Sequence, residues 1–251
     1  MPVLTSPDGL PLFYRDDGDG PAVVLLHGLT ADGEMNWEWT GIGPALRAGG
    51  FRTIALDQRG HGRSAKPTEP DAYRDERFVA DVRALLDHLG IDRCGLVGYS
   101  LGSLVVLRAT PDEPRVVAVV LGGIGERDIH TTDHSTDGEA LARAMEIDDP
   151  DEIEDPEARG FREWADANGA NRAALAALAR GRGRDPFDLA AMAVPALVIA
   201  GADDHLAGDP FALAHRLPVG EGRCLAGDHT TALADPSFGG EIVRFLSHHL
   251  R

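Results

Sequence analysis

The residues with the clearest capacity for chemistry lie at Gly98-Tyr99-Ser100-Leu101-Gly102. The apolar run 94–97 before them reads as a buried strand, and 103–109 after them reads as the first turns of a helix. A Gly-x-Ser-x-Gly between strand and helix predicts a sharp turn that lifts the serine hydroxyl clear of a sheet. Glycines on either side leave room for close backbone packing. The helix N-terminus then lies beneath any oxyanion that forms nearby. Such a turn supports nucleophilic attack by Ser100 on an acyl carbon.

Acyl transfer by a serine also needs a base, an acid to orient the base, and donors for the oxyanion. His229, in Ala226-Gly227-Asp228-His229-Thr230, follows the last strand-like run and is the candidate base. Asp203 and Asp204 follow the apolar run 196–200 and compete for the role of acid; Asp204 is favoured. A carboxylate facing the imidazole Nδ1 selects the tautomer that accepts the serine proton. For the oxyanion, the N–H of Leu29 in His27-Gly28-Leu29-Thr30 and the N–H of Leu101 are the candidate donors. His27 is expected to bond backbone within its loop rather than act as a second base. Among the other histidines, His248 and His249 are expected on an exposed helix, His88 and His215 on other helices, and His205 at a pocket mouth.

Positioning these groups needs a sheet. Short apolar runs at 3–5, 10–14, 22–26, 51–56, 94–97, 116–121, 196–200 and 223–225 read as eight strands. The first two are joined by a Pro-Asp-Gly turn and should be antiparallel. The rest alternate with helical stretches, among them 73–89 and 240–250, which implies a mostly parallel sheet flanked by helices. Between 125 and 193 the strand pattern stops, and helical stretches near 138–147, 156–167 and 172–180 replace it. Residues 1–124 and 194–251 are therefore expected to form an α/β core, with 125–193 a helical lid over the sheet's carboxyl edge, where ligands enter open α/β sheets. Phe161, Trp164 and Met145 in that insertion, and Trp37 and Trp39 after the oxyanion loop, are candidates to line the pocket.

Composition narrows the remaining choices. The 251 residues are 43% hydrophobic, enough for one substantial core. With 24 basic against 41 acidic residues, the net charge of −17 disfavours nucleic-acid binding through a basic face. No run reaches the ~18 apolar residues of a membrane span, and residues 1–10 lack the pattern of a secretory signal. A cytoplasmic monomer or homodimer acting on a small molecule is expected. Cys94 and Cys224, both on expected strands, should be buried and reduced. The glycines of Asp57-Gln58-Arg59-Gly60-His61-Gly62-Arg63-Ser64 lack the Gly-Lys-Ser/Thr of a phosphate cradle, so a structural loop is expected there. His130 and His134 with Asp128 and Asp133 read as a solvated acidic hinge rather than a metal site.

Taken together, His27-Gly28, the Asp57-to-Ser64 loop, the Ser100 elbow, Gly201-Ala202-Asp203-Asp204 and Asp228-His229 resemble the α/β-hydrolase superfamily in its cofactor-free esterase-like branch. They occur in that family's order and cover nearly the whole chain outside the insertion. The resemblance implies the α/β-hydrolase fold, no cofactor and no metal. It places the acid three residues after Gly201, at Asp204, and an oxyanion donor at Leu29. The departure is at Asp228, where many relatives carry Gly directly before the base. The implied activity is hydrolysis of small or medium carboxylic esters through an acyl-enzyme. Carbon–carbon bond hydrolysis, lactone opening, perhydrolysis and acyl transfer use the same triad. A non-catalytic receptor role is the alternative from another class. Epoxide hydrolases and haloalkane dehalogenases of the superfamily use an Asp nucleophile, against which Ser100 stands.

Overall fold

The structure, a computed structural model, describes residues 2–127, 138–183 and 185–250. Eight strands form one sheet: β1 (Val3–Thr5), β2 (Pro11–Asp17), β3 (Ala22–Leu26), β4 (Arg52–Leu56), β5 (Cys94–Tyr99), β6 (Val116–Gly122), β7 (Ala196–Gly201) and β8 (Gly220–Leu225). Their order across the sheet is β1-β2-β4-β3-β5-β6-β7-β8. Pairs β1–β2 and β2–β4 are antiparallel, and the pairs from β4–β3 to β7–β8 are parallel. The expected eight-stranded, mostly parallel sheet is therefore present.

The continuous apolar runs exist because the central strands are covered on both faces. Side chains alternate between faces along a strand. Val24, Leu26, Ile54, Leu56, Leu96 and Leu121 enter one core, while Val23, Leu25, Ala55, Val97, Val120 and Ile199 enter the other. The described helices are α1 (Ile42–Ala48), α2 (Asp75–His88), α3 (Leu101–Ala109), then α4 (Gly138–Glu146), α5 (Pro156–Ala167) and α6 (Arg172–Gly181), and finally α7 (Pro210–Arg216) and α8 (Pro236–His249). Phe78, Val82, Leu85 and Leu86 of α2 join the first core. Ile42 and Leu46 of α1 meet Phe238, Ile242, Phe245 and Leu246 of α8 in the second.

Helices α4, α5 and α6 lie in the chain between β6 and β7, as the loss of strand pattern implied. They carry a small core of their own from Leu141, Ala142, Met145, Ala165, Leu175 and Ala176. Asp155 caps α5 by accepting from the N–H groups of Glu157 and Ala158, and Asn171 caps α6 by accepting from Ala174 N–H.

Three expectations need correction or limits. Cys94 is buried, and burial pushes its thiol up to about 12, but Cys224 is exposed because β8 is an edge strand. Trp37 is fully buried in the second core and Trp39 is 71% exposed, so their side chains pack or meet solvent as ordinary residues. Asp128, His130, Asp133 and His134 lie outside the described residues. Among the described residues no helix is long and apolar enough to cross a membrane, and no group of three His, Cys, Asp or Glu is placed to hold a metal ion.

Candidate active site

The candidate residues gather at the carboxyl ends of β3, β5, β7 and β8. Ser100 sits between β5 and α3 with φ 50° and ψ −115°, a left-handed conformation that costs a non-glycine residue on the order of 1–3 kcal/mol. Its two flanking glycines are required by space. A Cβ on Gly102 would lie 1.9 Å from Leu26 O, and one on Gly98 would lie 2.4 Å from Gly102 C. The strand-to-helix turn is thus clamped against the end of β3, and Ser103 N–H closes it by donating to Ser100 O at 2.9 Å.

Asp204 and His229 meet directly. Nδ1 of His229 lies 2.9 Å from Oδ2 and 3.1 Å from Oδ1 of Asp204. The Asp204 side chain is fully buried and its Oδ1 also accepts from the N–H groups of Leu206 and Ala207, each at 3.1 Å. These donors fix the direction of the carboxylate. With a carboxylate on Nδ1, the neutral imidazole carries its proton there and presents Nε2 as an acceptor. Asp203 is exposed, and its N–H bonds Gly227 O at 3.0 Å in the turn. Asp228, the departure from the family pattern, faces its own turn. Its Oδ1 accepts from the N–H and hydroxyl of Thr230 and of Thr231, bonds that hold its carboxyl well below the usual range.

Tyr99, the neighbour of Ser100, links the elbow to the His229 loop. Its hydroxyl donates to His229 O, and the two rings lie 5.3 Å apart. Burial pushes the Tyr99 phenol up, so it stays a neutral donor. The sequence marks Tyr99 only as the variable position of the elbow.

The loop that carries Leu29 is held from behind. Gly28 faces Ser100 closely enough that a Cβ there would sit 3.5 Å from the Ser100 Cβ. Gly28 N–H donates to Asn36 Oδ1 at 2.7 Å. His27 Nδ1 donates to Gly28 O at 2.8 Å, and its Nε2 accepts from Gln58 N–H at 3.0 Å. Both ring nitrogens are therefore engaged by backbone, as expected for a structural His27. Gln58 Nε2 donates to His27 O at 2.7 Å. His61 packs edge-on against His27 at 4.9 Å, and burial pushes its imidazole down to about 3. Arg59, fully buried, bonds both oxygens of Asp81 at 2.7 Å and both oxygens of Asp8 at 3.0–3.1 Å. The 57–64 loop is thus a structural support, and these ion pairs are what its density of polar residues encodes.

From above, Trp164 of α5 lies nearly parallel to the His229 ring, 6.2 Å away at an interplanar angle of 13°. Phe161 meets Trp164 edge-on at 5.3 Å. Met145 is instead buried inside the insertion's own core. Leu29 packs against that same core, which brings the insertion over the loop that follows β3.

The alpha/beta hydrolase fold family matches residues 21–155 of the chain. A hydrolase from Pseudomonas aeruginosa PA01 superposes with TM-score 0.80 and 28% identity, covering 98% of this chain and 97% of that one. An esterase from Rhodococcus sp. ECU1013 superposes with TM-score 0.76 and 26% identity, covering 98% of each. Epoxide hydrolase B of Mycobacterium tuberculosis is 43% identical over 89 residues, 36% of this chain but only 24% of that protein.

Proposed function

The chain belongs to the alpha/beta hydrolase fold family, and from that premise we propose that it is a serine hydrolase cleaving small or medium carboxylic esters through an acyl-enzyme. The buried Asp204–His229 pair, with Nδ1 committed to the carboxylate at 2.9 Å, carries this reading. It leaves Nε2 as the only ring nitrogen able to take the proton of Ser100.

Ser100 Oγ attacks the ester carbonyl while His229 Nε2 accepts the hydroxyl proton. Asp204 stabilises the imidazolium that results. The N–H groups of Leu29 and Leu101 receive the tetrahedral oxyanion; one such donor lowers the barrier by roughly 3 kcal/mol. Collapse breaks the bond to the alcohol, which leaves with the proton from Nε2. A water then loses its proton to Nε2 and attacks the acyl carbon, and the second collapse releases the acid and restores Ser100. The insertion, residues 125–193, is the lid in this account. The epoxide hydrolase relative is similar over the part of the chain that includes no complete site, and opening an epoxide by this family's route needs a carboxylate where this chain has Ser100.

The test is turnover of p-nitrophenyl esters with acyl chains of two to twelve carbons, wild type beside Ser100→Ala. Turnover in the wild type that disappears in the variant supports the reading, and the best chain length sizes the acyl site. Activity within tenfold of wild type in Ser100→Ala refutes it.

A further inference from the structure

Helix α5 presents one continuous stripe to the candidate active site. Glu157, Phe161, Trp164 and its capping residue Asn168 recur at intervals of four, three and four, which is one face of a helix. Each residue of the stripe has its own contact. Glu157 pairs at 3.1 Å with Arg127, whose other guanidinium nitrogen donates to His205 O in the loop that carries Asp204. Trp164 lies along His229, and Phe161 packs edge-on against Trp164. Asn168 Nδ2 donates to Thr30 O in the oxyanion loop at 3.2 Å. The stripe of Ala158, Arg162 and Ala165, about 100° further round the helix, is buried within the insertion. A single helix is therefore tied to the acid loop, the base and the oxyanion loop at once.

The aromatic pair has a defined place relative to the bond being broken. His229 Nδ1 is taken by Asp204, so the edge carrying Nε2 is the one that protonates the departing oxygen. The Trp164 ring runs parallel to that imidazole and Phe161 stands edge-on to Trp164, so an aromatic pair lies beside the base that protonates the departing oxygen. We propose that Phe161 and Trp164 form the wall of the leaving-group subsite, and that they select esters whose alcohol carries a flat aromatic group. This rests on the serine-esterase reading above. Stacked and edge-to-face ring pairs gain beyond simple apolar contact, so an arylalkyl alcohol is favoured over an alkyl alcohol of similar length.

Benzyl acetate and butyl acetate test this directly. Both give the same acetyl-enzyme, so the ratio of their kcat/KM values reports the acylation step and its leaving group alone, and a general loss of activity divides out. The wild type should prefer benzyl acetate. Trp164→Leu and Phe161→Leu should each lower the benzyl-to-butyl ratio by about three- to tenfold, the size expected of one lost aromatic contact. Trp164→Phe, which keeps a ring, should restore most of it. Phe161→Leu removes the smaller ring and carries the test if Trp164→Leu does not fold. A ratio within twofold of wild type in both leucine variants overturns the subsite while leaving the esterase reading intact. A wild type that turns over no ester and takes no fluorophosphonate on Ser100 overturns both.

Discussion

Replacing Asp204 by Asn should disable the protein without unfolding it, and the hydrogen bonds say by how much. Oδ1 of Asp204 accepts from Leu206 and Ala207 N–H, so the amide oxygen of an asparagine must take that place. The NH2 group is then forced into the place of Oδ2, 2.9 Å from His229 Nδ1. An NH2 there donates, so Nδ1 must accept, and the imidazole proton moves to Nε2. The base is locked in the tautomer that cannot take the Ser100 proton. Loss of the correct tautomer at a Ser-His-Asp site costs on the order of 10³–10⁴ in kcat, or about 4–5.5 kcal/mol of barrier. Asp203→Asn keeps the turn hydrogen bond through its own backbone N–H and should stay within about threefold of wild type. Release of p-nitrophenol from p-nitrophenyl acetate measures both variants, with thermal melting as the check on folding. Asp204→Asn within tenfold of wild type, or equal losses in the two variants, refutes the assignment of the acid.

Two further predictions concern the support behind the site. Arg59→Met leaves the Asp81 carboxylate buried without its partner and should cost about 3–5 kcal/mol in denaturant unfolding, and adding Asp81→Leu should recover most of that; no recovery would contradict an ion-pair origin. His61 ionises far below the ~6.5 of an unfolded imidazole because it is buried, beside His27. The unfolded chain therefore binds more protons, so the stabilisation is present above about pH 6.5 and is lost as the pH falls toward 3. His61 alone should remove about 2 kcal/mol between pH 7 and pH 5. His27, pushed down by burial against the opposing pull of Asp57, adds in the same direction. Urea unfolding at the two pH values, for wild type and His61→Gln, checks this; an equal loss in both proteins contradicts it.

Strands and elbow were legible because their signals are local. Runs such as Ala22–Leu26 are buried on both faces, so their apolar pattern is continuous. The two elbow glycines mark a backbone approach that no side chain tolerates. The order of Ser100, Asp204 and His229 along the chain was readable for the same reason, since each follows the end of a strand. Less legible were elements short in sequence and defined by what they touch. The π-helical turn Glu34–Trp39, α1 and α7 carry too few residues to show a helical period. Arg59 in a glycine-rich loop gives no hint that its partners are Asp8 and Asp81, residues distant in the chain. Cys224 looks like any strand residue until β8 proves to be an edge. The large apolar residues of the insertion divided the same way. Phe161, Trp164 and Met145 read alike in the sequence, and only the structure sets Trp164 along His229 with Phe161 edge-on to it, and Met145 in the core between the insertion's own helices.

The most direct test of the central claim is the reaction of the intact protein with a fluorophosphonate, read by mass spectrometry of the intact chain and of its peptides. The account predicts one covalent adduct, on the peptide carrying Ser100, that is absent from Ser100→Ala. An unlabelled wild type, or an adduct that persists in Ser100→Ala, contradicts it.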